Sequence, residues 1–155
     1  MNKRRAAAAC AALTMAFALA ACTAREPAAP EVEYLDAPGT EGLGLPFSAA
    51  VRVGNTLYLS GQIGNLPGTL ELAPGGIEGQ TRQTMENIKQ ALEHFGSSMD
   101  QVVKCTVFLA DMAEWEAMNA VYRTYFTNPP ARSALGASGL ALGGRIEIEC
   151  IAVVD

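Results

Sequence analysis

Hydrophobic and polar positions follow two different periods along the middle of the chain, and each period predicts a kind of element. Ala50 to Gly61 reads AVRVGNTLYLSG, two short apolar runs separated by Gly54-Asn55, a pair that favours the turn of a β-hairpin. From Thr81 to Phe95 the apolar residues recur every three or four positions, which predicts a helix with one buried stripe formed by Met85, Ile88, Leu92 and Phe95. Gly96 follows as the expected C-terminal stop of that helix.

The next segments predict a buried strand and a second helix. Val102 to Met112 reads VVKCTVFLADM, a largely apolar run with several β-branched residues, as in a buried strand. Asp111, followed three residues later by Glu114, is typical of a capped helix start. Asn128-Pro129-Pro130 is expected to end this helix, whose buried side is predicted to be Trp115, Met118, Tyr122, Tyr125 and Phe126. The order strand, strand, helix, strand, helix, strand predicts an α+β fold in which two helices cover one face of a sheet.

The last predicted strand has two faces that differ in chemistry. Counting by twos, one face is continuously apolar and consists of Ile146, Ile148, Cys150, Ala152 and Val154. The other face begins with polar residues and ends with apolar ones: Arg145, Glu147, Glu149, Ile151 and Val153. A second burial surface, such as a subunit interface, explains the apolar end and places Glu147 and Glu149 at its margin. The alternative, in which both glutamates are ordinary edge charges, stays open on periodicity alone.

The first residues have the pattern of a signal peptide. Lys3, Arg4 and Arg5 precede an uncharged run from Ala6 to Ala21, which is shorter than the ~20 residues that span a bilayer. Leu19-Ala20-Ala21-Cys22 resembles the bacterial lipobox, whose Cys is lipidated, while a plain secretory signal is the alternative. We therefore expect a signal peptide over residues 1–21, lipidated Cys22 and a flexible tether over 22–31, and a folded domain over 32–155. Thr23, rather than Asp, at the second position of the mature chain resembles outer-membrane sorting, so we expect the protein to be anchored on the periplasmic side of the envelope, in the outer membrane.

The acidic charge balance and the content of cysteine and histidine disfavour two function classes, nucleic-acid binding and metal binding. Removal of the signal peptide leaves eight Lys and Arg residues against sixteen Asp and Glu, so no electrostatic footprint for nucleic acid is expected. Cys105 and Cys150 lie in apolar, strand-like runs, where each can be a small buried hydrophobe or both can form a disulfide. His94 is the single histidine and is predicted to be a solvated helix residue, so the sequence predicts no metal site.

The stretch PARSALGASGLALGGRIEI, from Pro130 to Ile148, resembles the C-terminal signature of the RidA (YjgF) family of small imine and enamine deaminases. The resemblance extends to LYLSGQI (57–63), GGIEGQTRQTMENI (75–88), VVKCTVFLADM (102–112) and MNAVYRTYF (118–126). It implies a chorismate-mutase-like α+β fold that assembles as a homotrimeric barrel. It also implies cofactor-independent ligand sites in the clefts between subunits.

The same resemblance implies roles for particular residues. Arg132 would hold the carboxylate of the substrate, and Glu147 would position or activate the water that attacks an imine carbon, giving a 2-oxo acid and ammonia. A guanidinium suits the first role because it stays charged and meets a carboxylate through two parallel hydrogen bonds. The remaining pocket residues by this matching are Ser60, Gly61, Asn119 and, through its backbone N–H, Ala134.

Three departures from the family pattern leave the function open. Phe47 stands where many active members carry a Tyr that lines the substrate pocket, so the ring remains without the hydroxyl. Ala134 replaces a common Cys but keeps the backbone donor. Most of the family is cytosolic, whereas a lipoprotein is not. Three interpretations follow: an imine deaminase, a non-catalytic trimer that binds small carboxylates, and a structural envelope protein with a vestigial cleft.

Overall fold

The protein has two layers, a mixed β-sheet and two α-helices packed on one of its faces. The computed structural model describes residues 29–37 and 46–154 of the 155-residue chain. The helices are α1 (Gly76–His94) and α2 (Trp115–Tyr122), and the strands are β1 (Val32–Leu35), β2 (Ala50–Val53), β3 (Thr56–Leu59), β4 (Gln62–Ile63), β5 (Val102–Leu109), β6 (Ala131–Gly136) and β7 (Ile146–Val153). The predicted α+β class is therefore confirmed. The expected signal peptide and Cys22 lie outside the described residues, as does most of the expected tether.

The sheet places β7 at its centre and β6 at one edge. The strand order is β1-β2-β3-β7-β5-β6, with β4 also pairing with β7. All these pairs are antiparallel except β5 with β6, which run parallel. The predicted hairpin is present, since β2 and β3 are joined through Gly54-Asn55, and Gly54 has a φ of +58° that glycine adopts without a steric penalty. Arg132 lies on an edge strand, because it belongs to β6 at the end of the strand order.

The hydrophobic core lies between the helices and one face of the sheet. The predicted stripe of α1 is fully or almost fully buried, and the predicted apolar face of β7 is buried from Ile146 to Ala152. Gly96 has a φ of +81°, and the Ser97 N–H behind it bonds to Leu92 O at 2.8 Å, so the expected C-terminal stop of α1 is confirmed. The helices therefore cover only one face of the sheet, and the other face carries Glu147.

Several boundaries differ from the sequence prediction. Helix α1 begins at Gly76, five residues before the predicted start at Thr81. The first turns were missed because the residues that they bury include the polar Gln80, Thr81 and Thr84, which give no apolar period. Helix α2 ends at Tyr122 and continues only as a 3-10 turn over Arg123–Tyr125, so the predicted end at Asn128-Pro129-Pro130 was wrong. Strands β1, β4 and β6 were not predicted. Strand β6 escapes detection because it consists largely of small and polar residues.

Cys105 and Cys150 form a disulfide between β5 and β7. The two residues are register partners in adjacent antiparallel strands, and both are buried in the core. The sequence left open whether these cysteines are separate buried residues or a disulfide, and the structure has the disulfide. None of the helices within residues 29–37 and 46–154 has the length and apolarity needed to cross a membrane.

Candidate active site

Arg132 is held by three residues on one side of helix α2. Its Nη1 donates a hydrogen bond to Asn119 Oδ1 at 2.7 Å. Its guanidinium carbon lies 4.7 Å from the ring centroid of Tyr122 and 5.4 Å from that of Trp115, distances that allow cation–π attraction. Positions 115, 119 and 122 are four and three residues apart, which places the three side chains on one helix face. The guanidinium is thus oriented while its remaining N–H groups are left for a ligand.

The Tyr122 side chain is apolar support rather than an acid or base. The residue is 5% exposed, and its hydroxyl has no hydrogen-bond partner among the described residues. Burial raises the pKa of Tyr122 to about 12, an effect that the neighbouring Arg132 charge opposes only in part. The phenol therefore stays neutral at physiological pH. Tyr122 therefore contacts Arg132 through the face of its ring, as a cation–π partner.

Arg132 opens into a cleft of about 540 Å³ that contains a second guanidinium. Arg123, at the C-terminal end of α2, donates from Nε to the backbone oxygen of Asn119 at 3.1 Å. No carboxylate is among the residues that line this cleft, which are Asn119, Tyr122, Arg123, Phe126, Pro129, Pro130 and Arg132. The described walls of the cleft are therefore cationic in an otherwise acidic protein.

Glu147 belongs to a second group of candidate residues. Strand β4 pairs with β7 so that Ile63 lies opposite Glu147. A Cβ atom added at Gly61 would lie 2.0 Å from Glu147 Oε1. Only glycine therefore lets the backbone approach the carboxylate this closely at position 61. The structure thus brings together Gly61 and Glu147, two of the residues singled out by the sequence.

Ser60 and Phe47 complete this second group. The Ser60 hydroxyl donates to the backbone oxygen of Ser48 at 2.7 Å, which ties the end of β3 to the segment before β2. Phe47 is 58% exposed and lines, with Ser60 and Gly61, a cleft of about 220 Å³. The Phe47 ring therefore faces the cleft without the hydroxyl that a Tyr would bring.

Arg132 and Glu147 do not converge within one chain. Arg132 is the register partner of Cys105, whose side chain faces the core, whereas Glu147 is the partner of Phe108, three residues further along β5. Residues an odd number of positions apart in a strand point to opposite faces, as Cys105 and Phe108 do. Their register partners Arg132 and Glu147 therefore also point to opposite sides of the sheet. Leu135 of β6 is also opposite Phe108, which puts the Arg132 and Glu147 Cα atoms roughly 14 Å apart.

Ala134 lies two residues after Arg132, on the same face of β6 and opposite Val107. The expected site residues thus form two groups, one around Arg132 with Asn119 and Ala134, and one around Glu147 with Gly61, Ser60 and Phe47. Trp115, Tyr122 and Arg123 were missed as site residues, although the i, i+4, i+7 spacing of Trp115, Asn119 and Tyr122 was visible in the sequence. The described part of the chain contains no cluster of three or more His, Cys, Asp or Glu side chains that could hold a metal ion.

Comparison with known proteins identifies the family. Residues 38–154 match the sequence model described as Endoribonuclease L-PSP. The structure of RidA from an Antarctic Psychrobacter is 38% identical, covering 78% of this chain and 94% of its own, with a TM-score of 0.68. The chain belongs to the RidA/YjgF family. The resemblance and the fold expected from it are therefore confirmed.

Other members of the RidA/YjgF family are similarly close. The mouse protein named 2-iminobutanoate/2-iminopropanoate deaminase is 43% identical over 109 residues, which are 70% of this chain and 81% of the mouse protein. The human protein of the same name is 42% identical over 118 residues, 76% of this chain and 84% of its own. The structure of yeast Mmf1 is 33% identical and covers 81% of this chain and all of its own, with a TM-score of 0.70. This RidA-family chain thus spans most of the length of these relatives.

Proposed function

We propose that the protein hydrolyses small 2-imino acids to 2-oxo acids and ammonia, without a cofactor. The observation that carries the proposal is the guanidinium of Arg132, oriented by Asn119 and two aromatic rings and unpaired with any carboxylate among the described residues. Relatives at 42–43% identity are named for deamination of 2-iminobutanoate and 2-iminopropanoate. The family description also mentions an endoribonuclease, but the acidic balance of the chain disfavours RNA as a partner.

The chemistry follows from the two groups of residues. Arg132 holds the substrate carboxylate through a forked pair of hydrogen bonds, which fixes the position of the adjacent imine carbon. Glu147 accepts a proton from water as the water oxygen bonds to that carbon, giving a carbinolamine. Glu147 returns this proton to the nitrogen, then takes the hydroxyl proton of the carbinolamine and delivers it to the nitrogen as the C=O bond forms and the C–N bond breaks, so that ammonia leaves. Each turnover consumes one water and returns Glu147 to its starting state.

The site that we propose is shared between two subunits of a homotrimer. Arg132 and Glu147 leave opposite faces of one sheet, so they can meet one substrate only if they come from different chains. The face that carries Glu147 is also incompletely covered: Tyr58 and Leu135 are each 45% exposed on it, and Ile151 is half-buried beside Tyr58. Burial of this apolar area against neighbouring copies supports assembly.

Complementation between inactive subunits tests both the chemistry and the shared site. Arg132→Ala removes the carboxylate anchor, and Glu147→Gln removes the base while keeping its shape. Each variant alone should hydrolyse 2-iminobutanoate poorly, with Glu147→Gln reducing kcat by roughly 10²–10⁴-fold. Co-expressed in equal amounts, they should form trimers in which about one quarter of the sites contain both native residues. Activity restored to that level supports a shared site.

Other outcomes of the same experiment contradict the proposal in separate ways. Two inactive variants that give no activity when co-assembled indicate a site within one chain. Wild-type protein that binds the 2-oxo product through Arg132 but never hydrolyses an imine indicates a binding protein, as the missing Phe47 hydroxyl would allow. Unchanged turnover in both single variants removes the mechanism altogether.

We propose further that the protein is exported and anchored by lipid at Cys22 on the periplasmic side of the envelope, in the outer membrane. The lipobox-like residues before Cys22 support this, as does the disulfide between Cys105 and Cys150, since disulfides persist in oxidising compartments. Cys22→Ser should block lipidation and release the protein from the membrane fraction, whereas Cys10→Ser, within the signal, should not. A Cys22→Ser protein that is processed and fractionates like wild type would contradict lipid anchoring.

A further inference from the structure

The cleft beside Arg132 carries two positive charges, more than one carboxylate would neutralise. Asn119 holds two guanidinium groups at once: its side-chain oxygen accepts from Arg132 at 2.7 Å, and its backbone oxygen accepts from Arg123 at 3.1 Å. Both guanidinium groups line the same cleft. We infer that the preferred substrates are dicarboxylic 2-imino acids, with Arg132 binding the carboxylate next to the imine and Arg123 binding the distal one. This inference rests on the proposed deaminase function and specifies its substrate class.

The spacing of the two cations fits a short diacid. The backbone and side-chain oxygens of one Asn lie within about 5 Å of each other, so Arg132 Nη1 and Arg123 Nε are at most about 11 Å apart. A charge-assisted N–H to carboxylate contact is about 2.8 Å long at each end. This upper bound accommodates the carboxylate separation of a four- or five-carbon diacid and excludes much longer ones. A monocarboxylic imine would leave the Arg123 end of the cleft empty.

The surrounding charges leave both arginines available. The ion pair among the described residues joins Arg145 to Glu114, and neither Arg123 nor Arg132 takes part in one. The Arg123 contact uses only Nε, so its two terminal nitrogens are left for a ligand. The alternative is a purely structural role for Arg123, in which it stabilises the C-terminal end of α2, where a positive charge is favourable. That role does not depend on which substrate is bound, and this difference makes the inference testable.

Substrate selectivity provides the test. The imines are generated in situ by oxidation of amino acids of matched length, so that a five-carbon dicarboxylic imine is compared with a five-carbon monocarboxylic one. Wild-type protein should show the higher kcat/KM for the diacid. Arg123→Gln, which keeps a hydrogen-bond donor near Asn119 but removes the charge, should lower the diacid-to-monoacid ratio about 5- to 10-fold, mainly through KM. Arg123→Lys should restore part of it. Arg82→Gln, on α1 and not among the residues that line the cleft, removes the same charge and should leave the ratio unchanged.

Binding of the products gives a readout independent of turnover. The five-carbon 2-oxo diacid should bind wild-type protein more tightly than the 2-oxo monoacid of equal length, and added salt should reduce the difference. Equal affinity for both, or a ratio that Arg123→Gln does not change, overturns the inference while leaving deamination of monocarboxylic imines intact. Failure to hydrolyse either imine would count against the proposed function, whatever the binding preference.

Discussion

Arg132 Nη1 donates to Asn119 Oδ1 at 2.7 Å, and this bond joins the edge strand β6 to helix α2. An amide oxygen orients the guanidinium without neutralising it, which a carboxylate at position 119 would do. The arrangement suits a residue that must present a full positive charge to a ligand. It also explains why a polar residue is placed between Trp115 and Tyr122, the two aromatic residues that contact Arg132.

The first prediction separates orientation from charge at position 119. Asn119→Ala removes the hydrogen bond and should raise the KM for 2-imino acids about 10-fold or more, the cost of one lost hydrogen bond to a charged group. Asn119→Asp keeps an acceptor in place but forms an ion pair with Arg132, so the substrate must compete with a fixed carboxylate. We expect Asn119→Asp to have the higher KM and the weaker binding of the 2-oxo product. An Asn119→Asp protein with wild-type product affinity, measured by calorimetry, would contradict the assigned role of Arg132.

The second prediction concerns the close approach of Gly61 to Glu147. A methyl group at position 61 would overlap Glu147 Oε1, which lies at the free end of a side chain and can swing away. Gly61→Ala should therefore displace the carboxylate, lower kcat about 10²-fold and change the melting temperature little. Gly139→Ala is the matched control, because a Cβ atom there would meet no atom of residues 29–37 or 46–154 within 4 Å. Loss of activity in both variants would mean that the effect is not specific to Glu147.

The parts of the fold that the sequence predicted are those in which burial recurs with a clear period. The stripe of α1 and the two faces of β7 repeat every 3.6 and every two residues, and both were correctly placed. Strand β6 has no such signal, because it packs mostly small side chains at the sheet edge. The end of α2 was misplaced because Tyr125 and Phe126 continue the apolar period after the helix has become a 3-10 turn.

For the candidate site, the sequence could predict residue types but not their arrangement. Arg132 and Glu147 were singled out by the family resemblance. Their separation onto opposite faces depends on the registers of β6 and β7 against β5, which tertiary pairing determines. Arg123 was missed for a similar reason. A cation near the end of a helix is ordinary by sequence, and it becomes notable only because Asn119 holds it beside Arg132.

The third prediction is a loss of stability in alkali. Burial raises the pKa of Tyr122 to about 12, and burial together with a hydrogen bond to Glu86 raises that of Tyr125 to about 12. Above pH 10 the unfolded chain loses these protons while the folded chain keeps them, so the free energy of unfolding should fall as pH rises from 10 to 12. The almost fully buried Tyr122 should account for on the order of 2 kcal/mol. Denaturant titrations of Tyr122→Phe should show a weaker pH dependence, and an unchanged slope would contradict the burial argument.

The fourth prediction tests the aromatic support of Arg132. Because the Tyr122 hydroxyl is buried without a partner in the described part of the chain, Tyr122→Phe should keep the ring contact and leave stability at pH 7 equal or slightly higher. Tyr122→Leu should raise the KM several-fold through loss of the cation–π contact. The same pair of changes at Trp115, to Phe and to Leu, provides an independent repeat. A leucine variant that folds and keeps the wild-type KM would show that the rings do not position Arg132.

The last prediction concerns the disulfide, which lies directly beside the anchor of the proposed site. Cys105 is bonded to Cys150 across β5 and β7, and it is also the register partner of Arg132 on β6. The crosslink closes a loop with a sequence separation of 45 residues, so its removal should cost about 2–4 kcal/mol of unfolding free energy. The double variant Cys105→Ala/Cys150→Ala should therefore be less stable than the oxidised protein. Below its melting temperature it should keep the wild-type KM, since Arg132 is oriented by α2 and not by the sulfur atoms. A large rise in KM in the folded double variant would instead show that the crosslink sets the position of β6, and with it the geometry of the carboxylate anchor.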